Sequence, residues 1–391
     1  MALNSPEAPL RKLMGPGPLD IHPRVYQALT SPVIGHMDPA YFKTLDQVAA
    51  GLRQVFQTQN KVTHATPGTG TSGMEACVAN LMEPADPVLV CVHGYFGDRV
   101  RLMAERQEAD ITVIEGEWGR PTDPQQVEEA LKAKAYKVIT VVHAETSTGV
   151  LQPMDDIVRL AKENGVMILL DAVTSLGGVE LKADEWAIDA AYSCSQKCIG
   201  APPGLAPVTF SDRAFEAAKS RKHPIRSWYL DITLLEKYWG STPRVYHHTS
   251  SSTLNYAILE ALLLIEEEGL QNRFNRHLTN HKALVAGVEA MGLEMLVKPE
   301  YRLPTLNTIC VPEGVDEAKV RGYLLETFNL EIGAGLGALA GQVWRVGLMG
   351  YSSSAENVLF FLSAISRALA VQDCKTDLSA GLEAAMSLLN A

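Results

Sequence analysis

The chain has 391 residues, 47% of them hydrophobic and 20% charged, which supplies enough apolar material for two domains and argues against disorder. A formal charge of −11 leaves no basic face to release counterions from nucleic acid, so an anionic ligand needs a local positive pocket. No apolar run approaches the roughly 18 residues of a membrane span.

In chain order, the opening MALNSPEAPLRKLMGPGP holds no continuous apolar stretch of the kind that directs secretion. Six scattered cysteines with no C-x-x-C pair read as free thiols in a reducing cytoplasm rather than as a zinc site. Gly15-Pro16-Gly17-Pro18 excludes helix and central strand, so residues 1–20 read as an extended arm. From about residue 60 to 212, short β-branched runs recur at 88–92, 111–114, 138–143, 166–170, 190–193 and 205–210. Helical stretches such as 125–134 and 155–163 lie between them, the latter opening on Asp155-Asp156 and closing at Gly165. Continuously apolar strands joined by helices predict an α/β domain whose mostly parallel sheet is covered on both faces. After about residue 268 the pattern changes, with helices predicted at 272–290, 315–327 and 354–369 around strands at 308–311 and 343–346. The organisation expected is an arm (1–20), a large α/β domain (21–268) and a smaller α+β domain with a helical tail (269–391).

Three groups carry chemistry, and all fall at expected strand ends, where open α/β sheets gather ligands. Asp171 follows five apolar residues and is expensive to bury unless it meets a cation; the alternative is a carboxylate that caps the next helix. Lys197 sits in the small, Gly/Pro-rich turn Ser193-Cys194-Ser195-Gln196-Lys197-Cys198-Ile199-Gly200. It follows Asp171 by about one strand–helix–strand unit, so an amine to hold an aldehyde and an acid to keep a ring nitrogen protonated can share one crevice. The third group, Gly68-Thr69-Gly70-Thr71-Ser72-Gly73 before an apparent helix at 74–82, offers free N–H groups to a phosphate. It also matches the G-x-G-x-x-G pattern of dinucleotide sites. That alternative is weakened because the preceding run, Val62-Thr63-His64-Ala65-Thr66-Pro67, is a poor strand with a proline, and the next strand ends in His93-Gly94 rather than an acid.

Taken together, Asp171, Lys197 and this loop resemble the class V aminotransferases of fold type I, the enzymes that depend on pyridoxal 5′-phosphate, and in particular the branch that exchanges amino groups between alanine or serine and glyoxylate. The resemblance runs from Gly15 to about Ala370. It is most specific in Glu145-Thr146-Ser147-Thr148-Gly149, Ser195-Gln196-Lys197, Tyr246-His247-His248-Thr249, Arg302-Leu303-Pro304-Thr305 and Trp344-Arg345-Val346-Gly347. It implies that Lys197 holds the cofactor aldehyde, that Asp171 faces the pyridine nitrogen, and that Thr69, Gly70, Thr71 and Gln196 take the phosphate. It also implies Tyr246 and Thr249 reaching the phosphate of a neighbouring subunit, hence a homodimer. By the same resemblance Thr146 is expected near the ring hydroxyl, Val173 as an apolar floor under the ring, and Arg345 as the clamp for the substrate carboxylate. Relatives place Trp over the ring where this chain has Gly94-Tyr95-Phe96-Gly97, so Phe96 supplies a smaller π face with no N–H.

Small donors are expected, since the motifs supply one carboxylate clamp and no second cation. Serine–glyoxylate and aspartate–glyoxylate exchange, cysteine desulfuration, an NAD-dependent dehydrogenase and a non-catalytic scaffold are the alternatives. Desulfurases carry a histidine beside the cofactor and a mobile catalytic cysteine loop, whereas the residue before Lys197 here is Gln196, which speaks against desulfuration. His247 and His248 read as packing or interface residues. His36 reads equally as a lining or a loop histidine.

Overall fold

The computed structural model describes residues 8–389, so the first seven residues of the expected arm lie outside the described residues. Seven strands form the central sheet: β1 (Val62–Pro67), β2 (Pro87–Val92), β3 (Asp110–Glu115), β4 (Val138–Val142), β5 (Met167–Asp171), β6 (Ala190–Tyr192) and β7 (Leu205–Phe210). Their spatial order is β1-β7-β6-β5-β4-β2-β3, and only β7 runs against its neighbours. The α/β expectation holds. Strand β5 shows why its sequence is continuously apolar: Ile168 and Leu170 enter the core on one face, Met167 and Leu169 the core on the other.

Strand β1 corrects the reading of residues 62–67 as a poor strand. Its side chains are buried from Val62 to Thr66, and it pairs with β7 alone at the sheet edge, with Pro67 at its end. At an edge a proline costs no ladder bond, so this ground for rejecting a dinucleotide site falls, while the absence of an acid after β2 stands. The helix that follows also begins earlier than expected, at Gly70 rather than 74, so part of the glycine loop is its first turn (Gly70–Leu81). A helix over Pro39–Phe56, to which the sequence reading assigned no element, buries Tyr41, Leu45, Val48, Leu52 and Val55 against the sheet's first core. Among the described residues no helix is long and apolar enough to cross a membrane.

Toward the C-terminus, β8 (Leu306–Cys310), β9 (Gly333–Ala334) and β10 (Val343–Gly347) form an antiparallel sheet ordered β8-β10-β9. Its own core unites Ile309, Trp344 and Val346 with the helices Leu270–Ala290, Glu317–Phe328 and Ala355–Ala370. The tail beyond Val371 ends in the helix Leu378–Leu389, where Gly381 lies against Gly287: a Cβ on either would come within 3.0–3.1 Å of the other's carbonyl oxygen. Lys12–Leu13 pairs in parallel with Leu330–Glu331, and Met14 is buried in this second core.

Candidate active site

Strands β5 and β6 run side by side, with Asp171 opposite Tyr192, so their carboxyl ends deliver Asp171 and the Lys197 turn to one crevice. Asp171 is 2% exposed. Its Oδ2 accepts from the Tyr192 hydroxyl at 2.6 Å and its Oδ1 from the Val173 amide at 2.9 Å. Burial pushes its pKa up to about 6, against the pull of those two donors and of Lys197. The carboxylate therefore retains acceptor capacity in a place that favours a cationic neighbour. Lys197 is also buried, and burial lowers its pKa, with Arg345 adding to the shift and Asp171 opposing it. Its Nζ donates to the carbonyl of Pro16 in the arm. Gly17 follows at φ +105, where a Cβ would lie 2.7 Å from the lysine Cδ. The arm thus crosses directly over the lysine.

The phosphate end is built from the first turn of the Gly70–Leu81 helix. Thr69 is its N-cap residue and makes no side-chain cap bond, so its hydroxyl is not committed to the helix. A Cβ at position 70 would lie 2.9 Å from the Cys194 side chain and 3.5 Å from Val173, so only glycine brings this turn against the end of β6. Gln196 Oε1 is buried with no partner. Thr71 Oγ1 accepts a long bond of 3.5 Å from Arg99, whose guanidinium sits 4.9 Å over the Phe96 ring and 5.3 Å over Tyr95. From the sequence Arg99 reads as a surface residue, like Arg244, either of which would line the site only if aspartate were as good a donor as alanine. Its one clue is position: three residues after Phe96 on the helix Tyr95–Arg106.

Glu145 links the remaining pieces. Fully buried, it accepts from the amides of Phe96 (3.3 Å), Gly97 (3.4 Å) and Ser147 (3.0 Å) and from the Ser147 hydroxyl (2.6 Å), which fastens the Phe96 helix to the turn after β4. Burial raises its pKa to about 7. The next residue, Thr146, shares a short hydroxyl contact with Thr174, and its carbonyl accepts from Arg345 at 2.9 Å. Arg345 is 5% exposed and its Nε donates to the Ala334 carbonyl at 2.7 Å. Among the described residues no carboxylate lies within ion-pair distance of it, and burial lowers its pKa to about 10. A buried guanidinium held by two carbonyls and no acid is a ready anion receptor.

Thus Lys197, Asp171, Val173, Gly70, Thr146 and Arg345 converge. Tyr246 and Thr249 stand apart: both are exposed, Tyr246 rests against His36 at 5.2 Å, and no hydrogen bond joins either side chain to the cluster among the described residues. His247 stacks on Trp228 at 4.4 Å and contacts His248, a packing arrangement. Arg244 is committed to Asp46 and to the face of Phe42.

The cofactor that the resemblance implies fits these groups. An amine, a buried acid, an apolar floor at Val173, a π face at Phe96 and uncommitted polar groups at Thr69, Gln196 and Arg99 match an aldehyde, a ring nitrogen, a ring and a phosphate.

Comparison with known proteins agrees. The family model "Aminotransferase class-V" matches residues 25–359. The chain is 41% identical to an alanine–glyoxylate aminotransferase of Drosophila melanogaster over 95% of its own length and 96% of the relative's. Among solved structures, an alanine–glyoxylate aminotransferase from Nostoc sp. superposes with a TM-score of 0.93 at 47% identity, covering 94% of this chain and 98% of that one. A ureidoglycine–glyoxylate aminotransferase from Bacillus subtilis superposes with a TM-score of 0.96 at 38% identity, covering 99% and 100%. With its sheet, its strand-end lysine and acid, and this likeness along nearly its whole length, the chain belongs to the class V aminotransferases, a family of pyridoxal-phosphate-dependent transaminases.

Proposed function

We propose that this transaminase moves the amino group of alanine, and less efficiently serine, to glyoxylate, with pyridoxal 5′-phosphate carried on Lys197. The observation that carries the reading is Arg345, a buried cation without a carboxylate of its own beside a buried amine and acid. When bound, pyridoxal phosphate supplies an aldehyde for the donor's amino group and a protonated ring that accepts the electron pair left by the α-proton. Asp171 keeps that ring nitrogen protonated. Lys197, its ammonium disfavoured by burial, takes the α-proton and returns it on the other side of the exchange. Thr69, Thr71, Gln196 and Arg99 hold the phosphate, Phe96 covers the ring, and the arm excludes water above the lysine.

Arg345 grips the α-carboxylate shared by alanine and glyoxylate through two parallel N–H···O bonds that an ammonium cannot reproduce. Arg345→Lys is therefore expected to lower kcat/KM for both by roughly 2–4 kcal/mol, with cofactor loading unchanged. An amine lacking a carboxylate should react poorly with both proteins alike; equal damage to that amine would make Arg345 structural.

The donor test is a panel of alanine, serine, aspartate and (S)-ureidoglycine against glyoxylate. Alanine is expected to lead and aspartate to trail, because the only other unpaired arginine described near the site, Arg99, lies over Phe96 at the phosphate end. The second reading is ureidoglycine exchange, favoured by the full-length likeness to the Bacillus enzyme. Its side chain likewise carries no second carboxylate, and a clear lead of ureidoglycine over alanine would establish it.

A homodimer completes the same reading: the exposed Tyr246 and Thr249, beside the exposed Val245 and Trp228, would reach the neighbour's phosphate. Mixing inactive Lys197→Ala and inactive Tyr246→Ala/Thr249→Ala chains should then restore activity, since one site of each heterodimer is wild type. No recovery despite subunit exchange would place those residues in their own chain's site. Six free cysteines suit a cytoplasmic location.

A further inference from the structure

The helix Leu270–Ala290 starts directly after Gly269 and presents Arg273, Arg276 and His277 on one face, at i, i+3 and i+4. Arg273 is 5% exposed, and each of its three nitrogens is engaged. Nε donates to the carbonyl of Gly177 at 2.9 Å, Nη2 to the carbonyl of Cys198 at 2.6 Å, and Nη1 to Glu268 at 2.7 Å. Gly177 belongs to the loop that leaves Asp171, and Cys198 is the residue after Lys197. One planar guanidinium therefore spans the two loops that carry the lysine and the acid.

Neighbouring side chains extend the tie to a third loop. Arg276 also pairs with Glu268 and donates to the carbonyls of Gly350 (3.0 Å) and Ser353 (2.6 Å), while His277 Nε2 accepts from the Gly350 amide at 3.0 Å. Gly350 follows the strand that carries Arg345, and a Cβ there would lie 3.3 Å from the Cys198 carbonyl oxygen and 3.5 Å from that of Lys197. None of these three side chains belongs to the proposed chemistry. An apolar residue at 273 would fill the volume but leave two buried carbonyls unpaired.

Resting on the reading of Lys197 and Asp171 as the working pair, we propose that Arg273 is a positioning residue that sets the Lys197 turn against the Asp171 loop. It acts on the lysine's placement and not on the carboxylate clamp, so its loss should appear in kcat and in the capture of cofactor rather than in KM. A cavity of about 490 Å3 lined by Arg273, Arg276, Ile199 and Gly200 gives a small cation a way in.

The experiment compares wild type, Arg273→Ala and Arg273→Lys as holoenzymes. The alanine variant should lose roughly 10–100-fold in kcat, the scale of a misplaced reacting group, with KM for alanine within about twofold. Methylguanidine should recover a large part of the loss, and methylammonium should not. In cofactor-free protein, Arg273→Lys should slow the coupling of pyridoxal phosphate to Lys197, while affinity for pyridoxine phosphate, which has no aldehyde, stays unchanged. The lysine variant keeps the charge facing Glu268 and decides the matter if the alanine variant does not fold. Normal kcat and normal coupling in a folded variant, or a loss carried by KM, would overturn the proposal. If borohydride leaves no label on Lys197 of the wild type, the underlying reading of the site fails first and takes this one with it.

Discussion

Replacing Lys197 by alanine is expected to abolish turnover while the protein still takes up pyridoxal phosphate without a covalent bond. The groups proposed to take the phosphate, Thr69, Thr71, Gln196 and Arg99, and those proposed to meet the ring, Phe96 and Val173, do not depend on the lysine for their own placement. The proton transfer does: a positioned base contributes roughly 100- to 10,000-fold, and Lys197 is the base proposed for it. The arm should respond as well, since the Pro16 carbonyl loses its donor and Gly17 its closest neighbour. Exchange between alanine and glyoxylate at a near wild-type rate in this variant would remove Lys197 from the chemistry altogether. Spectra with and without added cofactor, taken beside the assay, separate lost chemistry from lost binding.

Asp171→Asn should cost roughly a thousandfold in turnover, about 4 kcal/mol of barrier, with a smaller effect on cofactor occupancy. Asparagine preserves the size of the group and leaves an acceptor for Tyr192, but it cannot hold a proton on the ring nitrogen. A loss below about tenfold would mean that Asp171 merely ties its loop through the Val173 amide. The same residue makes a prediction for cofactor-free protein. Its folded pKa, about 6, lies above the 3.8 of an unperturbed aspartate. The folded state therefore holds the proton more tightly, and stability falls as pH rises through that interval, by on the order of 3 kcal/mol. Unfolding in denaturant at about pH 4.5 and about pH 7.5 should show the stability difference moving toward the asparagine variant at the higher pH. Glu145, raised to about 7 chiefly by burial, is present in both proteins, but the variant loses the part of that rise which the Asp171 charge supplies, so Glu145 titrates slightly lower there.

Much of this site was legible because its chemistry is local. Asp171 ends an apolar run and Lys197 stands in the small turn after the next strand, and a charge after five buried residues announces itself before any contact is known. What stayed hidden depends on distant or opposed signals. Strand β1 reads poorly because an edge strand with polar Thr63, His64 and Thr66 lacks the uniform apolar run of β4 or β5, although the fold buries those side chains. The contact of the arm with Lys197 joins residues 181 apart, and proline and glycine content alone foretells an extended chain but not its destination. Arg99 resembled a surface residue, since its role follows from the register of one helix over Phe96. Arg273 carried no motif at all. Its proposed role lies in which backbone carbonyls it meets, and those come together only once the two loops that carry them have converged.

Everything above rests on Lys197 and Asp171 forming one site for pyridoxal phosphate. The most direct measurement is the absorbance spectrum of the protein with that cofactor, followed by borohydride reduction and peptide mapping. The expected result is a band near ~400–430 nm, as for an aldehyde cofactor condensed with a lysine, its loss on reduction, and a stable pyridoxyl label on Lys197 alone. A protein with no such band, or with its label on a different lysine, would contradict it.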